Sequence, residues 1–177
     1  MKNVWMKGML ALSVMLALGA AQVLADMDKK PAAPKMPAEF DKLKALVGTW
    51  KGTAKKGDKT LVVKNTFELT SGGTALLEKI GEGENQMISV YCAENGRLAM
   101  THYCTVGNQP KMSLTKSTGD SLVFAMKGKE GIGSEKEMHM HAMTITWKDA
   151  DHITESWSMY NEGKCTASCP FELTRVK

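Results

Sequence analysis

The sequence lacks an apolar run long enough to cross a membrane as a helix. The run from Met9 to Leu18 falls well short of the roughly 20 residues that a spanning helix needs. Basic residues precede it and the small-residue stretch Val23-Leu24-Ala25 follows, a pattern typical of a cleavable signal peptide over residues 1–25. No cysteine stands at the cleavage point, so we expect no lipid anchor. The sequence therefore predicts a periplasmic or secreted bacterial protein that starts at Asp26 and makes no stable membrane insertion after cleavage.

A strong excess of charge is also missing. The formal net charge of +4 falls to +2 when Lys2 and Lys7 are removed with the signal peptide, and the remaining lysines are scattered. A balance this mild argues against a nucleic-acid partner. The glycine-rich stretches 81–83 and 131–133 do not lead from a strand into a helix, which excludes phosphate-binding loops. No catalytic triad can be assigned from spacing, so the sequence favours a non-catalytic protein while leaving an enzyme open.

Helical periodicity is confined to one short segment of the chain. Residues 26–38 are polar and contain three prolines, which predicts a flexible leader before a single domain over 39–177. Within residues 39–47, apolar side chains recur at helical spacing up to Gly48, which predicts one short amphipathic helix.

Beyond Gly48 the apolar period is two. Ten runs predict strands, at about 49–55, 59–70, 74–80, 86–93, 97–106, 111–118, 121–128, 137–148, 152–160 and 168–176. The turns between them are mostly tight, so neighbouring strands are expected to be antiparallel. Closure removes exposed sheet edges, and the predicted fold is therefore an all-β, ten-stranded antiparallel up-and-down barrel with one short N-terminal helix. After the facing side chains are accounted for, such a barrel leaves a lumen about 10 Å wide, which is enough for a small molecule.

Gly48 and Trp50 on the first strand, together with Arg175 on the last, carry a family resemblance. The layout resembles the calycin group of lipocalins, fatty-acid-binding proteins and nitrobindin-like barrels. Leu46 to Trp50, with the segments 101–104 and 107–110, is similar to uncharacterised bacterial lipocalin-like exported proteins. The resemblance implies that Trp50 packs across the barrel floor beneath Arg175. It also implies haem as a possible cofactor, held in nitrobindin-like members by a late histidine; the latest here is His152.

Two alternating sets of side chains are candidate sites. Met100, His102 and Cys104 alternate along one strand, so their side chains are expected on the same face. They could line a lumen, or His102 and Cys104 could bind copper or zinc. His139 and His141 form a second pair with metal-ligand spacing. The alternative to both metal sites is a strand face that is packed or exposed.

A further strand alternates Glu155 and Trp157 with polar residues, which suits a partly polar lumen. Glu68, Glu78 and Glu155 could project inward, although carboxylates on the outer wall are the simpler expectation. Cys165 and Cys169 flank a short stretch before Pro170, where we expect a local disulfide. Across the turn at residues 95–96, Cys92 should lie opposite Ala99, too far from Cys104 to pair.

These features predict an exported barrel that holds a small, largely apolar molecule in its lumen without a cofactor. The predicted lumen residues are Met100, His102, Cys104 and Trp157. The alternative is a periplasmic copper-, zinc- or haem-binding protein that uses the His, Met and Cys side chains named above.

Overall fold

A computed structural model describes residues 35–56 and 58–177. The signal peptide predicted over residues 1–25 and most of the predicted leader over 26–38 lie outside the described residues. Among the helices that the structure describes, none has the length and apolarity needed to cross a membrane.

Helix α1, Glu39–Lys44, buries Phe40 and Leu43 and is shorter than predicted. The chain after Lys44 tightens into a turn, in which the amide of Leu46 donates to the carbonyl oxygen of Leu43 at 2.9 Å. Leu46 is fully buried as well, so the apolar spacing that predicted a longer helix reflects a helix followed by a turn that packs on the same core.

Ten antiparallel strands form a closed barrel in simple sequence order, with β1 pairing β10, which confirms the predicted fold class. The strands are β1 Gly48–Lys56, β2 Lys59–Thr70, β3 Ala75–Ile80, β4 Met87–Glu94, β5 Arg97–Tyr103, β6 Lys111–Ser117, β7 Ser121–Ala125, β8 His139–Trp147, β9 His152–Asn161 and β10 Lys164–Arg175. Short 3-10 turns at Ser71–Gly73 and Gly83–Asn85 join β2 to β3 and β3 to β4.

The closing seam between β1 and β10 depends on a glycine. Gly52 pairs with Leu173, and a Cβ at Gly52 would lie 1.7 Å from the carbonyl oxygen of Glu172. Any other side chain at this position would collide with the backbone of β10. The same seam pairs Trp50 with Arg175.

Among the strand bounds that differ from the sequence-based expectation, two concern cysteines. Strand β5 ends at Tyr103, so Cys104 lies in the following loop, where its amide donates to the carbonyl oxygen of Asn108. Strand β10 begins at Lys164 because a bulge between Cys165 and Ala167 lets the chain stay paired with β9. The register between β4 and β5 places Cys92 opposite Ala99, as the intervening turn predicts.

The alternation of each strand sorts its side chains into a lumen face and an outer face. Inward aromatic and aliphatic residues join α1 in one apolar core at the helix end of the barrel. Its fully buried members include Phe40, Leu43, Leu46, Trp50, Leu76, Tyr91, Leu98, Met100, Leu122 and Phe124. The opposite end, which carries the β1–β2, β3–β4 and β9–β10 turns, contains the site described next.

Candidate functional site

A buried carboxyl group, Glu78 on β3, is the centre of a polar network inside the barrel. The hydroxyl of Tyr91 donates to Glu78 Oε2 at 2.7 Å, and the amide of Asn65 donates to Oε1 at 2.9 Å. Ser89 on β4 lies directly opposite Glu78 in the sheet and also lowers the pKa of this carboxyl. Burial raises the pKa of Glu78, and these donors counteract the increase. The donors therefore favour the ionised form of a carboxyl that has no contact with water.

Glu155 on β9 joins this network from across the lumen. Asn65 donates to Glu155 Oε2 at 3.0 Å, so one amide bridges two carboxyl groups on distant strands. Burial, and then the charge of Glu78, raise the pKa of Glu155 well above its ordinary value. Because two adjacent buried carboxylates repel each other, the pair keeps a proton, which we assign to Glu155 in a hydrogen bond to Glu78.

His102 on β5 extends the network by one step. Its Nδ1 lies 3.1 Å from the hydroxyl oxygen of Ser89, and burial lowers the pKa of His102 to about 4. The imidazole is therefore neutral at physiological pH. Which of the two groups donates in this contact depends on the tautomer of His102. Nε2 of His102 is buried and has no hydrogen-bond partner among the described residues.

Trp157 on β9 packs against His102, with 4.5 Å between the ring centres. Its indole N–H is near enough to Glu155 to lower the pKa of that carboxyl, yet it forms no hydrogen bond of ordinary geometry. Trp157 is 2% exposed and His102 is 1% exposed. His102 Nε2 and Trp157 Nε1 are thus buried without partners, as are Asn65 Oδ1 and Glu155 Oε1 in the same network, and an unpaired buried polar group costs about 1–3 kcal/mol.

A cavity of about 380 Å³ borders these two rings at the end of the barrel opposite α1. Its walls are mainly apolar, and its rim includes the exposed residues Lys55 and Leu61. The cavity is lined by Ala54, Lys55, Leu61, Ile80, Met87, His102, Met140, Trp157, Met159, Ala167, Ser168, Cys169 and Phe171. Its volume lies in the range of about 300–1,000 Å³ that small-molecule sites occupy.

Two of the four residues predicted for the lumen line the cavity, and the other two do not. His102 and Trp157 line the cavity. Met100 is inward-facing but lies in the apolar core, where it pairs with Tyr91 and Met112. Cys104 lies beyond the end of β5 and is not among the cavity-lining residues.

His139 and His141 contact each other rather than converging on open space. His139 Nδ1 lies 2.7 Å from the carbonyl oxygen of Glu137, and His139 Nε2 lies 3.1 Å from His141 Nδ1. A register shift between Met140 and Ala142 brings the two rings together, and His141 also stacks on Tyr160. A metal ion would have to break the hydrogen bond between the imidazoles. The described residues hold no group of three or more His, Cys, Asp or Glu side chains placed to bind one ion.

His152 does not line the cavity, and the cysteines are not paired. His152 lies at the helix end of the barrel, exposed, with its Nδ1 2.8 Å from Asp149 Oδ1, far along β9 from the cavity. All four cysteines in the described residues are free thiols, so the expected Cys165–Cys169 bridge is not formed. The two lie on one paired strand, where extended backbone separates their side chains too widely for a disulfide.

Three members of the network, Asn65, Ser89 and Tyr91, were not singled out from the sequence. Glu78 and Glu155 were expected more simply on the outer wall, and both are fully buried; Glu68, by contrast, is exposed and pairs with Lys79 at 2.9 Å. Alternation along β2 could have identified Asn65. It shares a strand face with Val63 and Phe67, and a polar residue between two apolar residues of one face is expected to point inward.

The fold and site together define a closed ten-stranded antiparallel barrel with a one-ended apolar cavity above a buried polar network. No family model matches the sequence, and no curated protein is significantly similar to it. Among solved structures, the chain is similar to a protein of unknown function from the DUF3598 family of Nostoc punctiforme PCC 73102. The TM-score is 0.56 at 13% identity, over 84% of this chain and 53% of that one. The chain thus spans about half the length of that protein, and the similarity extends to the fold alone.

Proposed function

We propose that this protein binds a small, largely apolar molecule in the cavity at the open end of the barrel, without transforming it. The observation that carries the proposal is the cavity itself, about 380 Å³ in volume with methionine, isoleucine and phenylalanine walls. Apolar concave sites with a few convergent polar groups are typical of ligand-binding proteins. The export expected from the N-terminal sequence places this binding outside the cytoplasm.

The polar network supports binding by fixing the floor of the cavity. Asn65 connects Glu78 on β3 to Glu155 on β9, and these residues lie on different sides of the lumen. Hydrogen bonds that connect distant strands in this way hold those strands in one arrangement. The cavity above it is therefore preformed, which lowers the entropy cost of binding.

Saturable binding of an environment-sensitive hydrophobic dye tests the proposal. The mature protein should bind one dye per chain. Met159→Glu places a charge in the cavity wall and should weaken dye binding at least about tenfold, because a carboxylate in an apolar cavity loses its hydration. Val62→Glu is the matched control, since Val62 is 86% exposed on β2. Equal dye binding by the two variants would contradict the proposal.

The metal- and haem-binding alternative stays a prediction, and the same preparation tests it. Purified protein should be colourless and free of stoichiometric copper, zinc or iron by elemental analysis. A double variant, Cys104→Ser with His141→Gln, should leave dye binding unchanged because neither residue lines the cavity. Stoichiometric metal that this double variant loses, together with absent dye binding, would favour the alternative.

A further inference from the structure

Sulfur-bearing side chains form much of the cavity wall and indicate the chemistry of the ligand. The lining residues that carry sulfur are Met87, Met140, Met159 and Cys169. We propose that the ligand has a flat aromatic body, which these sulfur atoms favour over a saturated chain or ring. This inference rests on the proposed function and names the class of molecule that the cavity takes.

The methionines that line the cavity differ from those of the apolar core. Met100, Met112 and Met143 are at most 1% exposed and fill space between neighbouring side chains. Met140 and Met159 are only half-buried, and both border the cavity. A molecule in the cavity therefore meets thioether groups directly.

Strand pairing turns the sulfur-bearing side chains of three neighbouring strands towards the lumen. Met159 on β9 pairs directly with Met140 on β8, and Cys169 on β10 pairs directly with Trp157. Trp157 and Met159 are two residues apart, so both leave β9 on the same face. Because directly paired residues share a face of the sheet, β8, β9 and β10 form one continuous wall that carries three sulfur atoms.

Met87 on β4 supplies sulfur from the opposite wall. It pairs directly with Ile80, which is buried and also lines the cavity. Strands β4 and β9 are five strands apart in either direction around the closed ring, so Met87 and Met159 lie on opposite sides of the lumen. A flat molecule between these walls would have sulfur on both sides.

This lining distinguishes an aromatic ring from a saturated one of the same size. Polarisable sulfur attracts an aromatic ring beyond the effect of hydrophobic burial, whereas a saturated ring gains from burial alone. Phe171, half-buried in the same wall, provides a ring for offset or edge contacts. Branched aliphatic side chains, which would serve a saturated ligand equally well, are limited in the cavity to Leu61 and Ile80.

Two probes that differ only in the ring test the inference: 3-phenylpropan-1-ol and 3-cyclohexylpropan-1-ol, each competing with the bound dye. We expect the phenyl compound to bind about fivefold more tightly, which is the combined effect of several contacts between sulfur and the ring. The cyclohexyl compound leaves water more readily, so a cavity that acts through hydrophobicity alone would reverse the order.

Leucine variants assign the preference to the sulfur atoms, because leucine keeps the volume and hydrophobicity of methionine. The double variant Met140→Leu with Met159→Leu should lower the affinity for the phenyl compound about fivefold and change that for the cyclohexyl compound less than about twofold. Met138→Leu is the matched control and should keep the preference, since Met138 is 43% exposed and does not line the cavity. Met87→Leu, on the opposite wall, gives an independent measurement if the double variant fails to fold.

The outcomes separate the inference from the proposed function. Equal binding of the two probes, or tighter binding of the cyclohexyl compound, would overturn the aromatic ligand while leaving the cavity as a binding site. A preference that the leucine variants of the cavity retain, or that Met138→Leu also loses, would overturn it as well. Failure of both probes and of the dye to bind would reject the proposed function and this inference together.

Discussion

The guanidinium carbon of Arg175 lies 4.3 Å from the centre of the Trp50 ring, at the point where the last strand pairs with the first. The indole N–H of Trp50 donates to the carbonyl oxygen of Leu46 at 2.8 Å. Arg175 donates to the carbonyl oxygens of Val47 at 2.9 Å and Ala45 at 2.6 Å. Together the two side chains attach the turn after α1 to the closing seam, which shuts this end of the barrel.

Substituting Trp50 should destabilise the barrel more than substituting Arg175. Trp50→Ala truncates a fully buried ring and should lower the free energy of unfolding by about 3–5 kcal/mol. Arg175→Lys keeps the charge but loses the two-pronged contact with the carbonyls, at a cost of about 1–3 kcal/mol. Urea denaturation of the mature protein measures both. Unchanged midpoints would show that the seam does not depend on this pair.

Gly52 should tolerate no side chain. Gly52→Ala would place a Cβ 1.7 Å from the carbonyl oxygen of Glu172, so strands β1 and β10 must separate, at a cost of about 1–3 kcal/mol. Gly119→Ala is the control, because nothing lies within 4 Å of its Cβ position. Thermal unfolding followed by circular dichroism compares them. Equal melting temperatures for the two variants would be inconsistent with the close approach at the seam.

Acid should destabilise the protein partly through His102. Burial lowers the pKa of His102 from 6.5 to about 4, so between these values the unfolded chain binds the proton and the folded chain does not. Stability from this group is therefore present above pH 6.5 and is lost as the pH falls to 4. The difference corresponds to about 3 kcal/mol.

Denaturation at pH 4, 5, 6 and 7 tests this contribution. The stability difference between wild type and His102→Phe should shift by that amount across the range. Parallel curves for wild type and His102→Phe would show that the imidazole is not held neutral by burial.

The Glu78–Glu155 pair should act in the opposite direction. Because the pKa of Glu155 is raised well above 4.5 in the folded protein, the folded state keeps a proton that the unfolded state releases. The stability that Glu155 contributes is fully present below its pKa in the unfolded chain. It is lost as the pH rises towards its pKa in the folded protein.

Glu155→Gln, which preserves a donor and an acceptor, should therefore lose less stability than wild type between pH 5 and pH 9. Glu68→Gln on the outer face is the matched control. Melting temperatures across this range give the comparison, and an identical decline in Glu155→Gln and wild type would argue against the shared proton.

Export is testable without reference to the barrel. We expect cleavage after Ala25, because the basic start, short apolar run and small residues of the N-terminus match a signal peptide. The intact mass of protein recovered from the periplasm or medium of a bacterial host should correspond to a chain that begins at Asp26. Recovery of the full-length chain in the cytoplasm alone would contradict this expectation.

The sequence by itself determined the barrel. A period of two from Gly48 onward, interrupted by tight turns, permits only antiparallel neighbours, and local turn geometry was enough to set Cys92 opposite Ala99. The sequence also predicted the short helix. It did not predict where the helix ends, because Leu46 lies in the following turn at helical spacing and packs on the same core. These features depend on residues close together in the chain, so a pattern of residue types records them.

Only the tertiary structure decided which strand face points inward and what meets there. Alternation gives each strand two faces but does not say which one is buried, so Glu78 and Glu155 could be placed on either side until the barrel closed. Asn65 and Glu155 are 90 residues apart and meet across the lumen. The sequence around either residue gives no information about the other. Their polar atoms come close only when the ten strands have closed around a common interior.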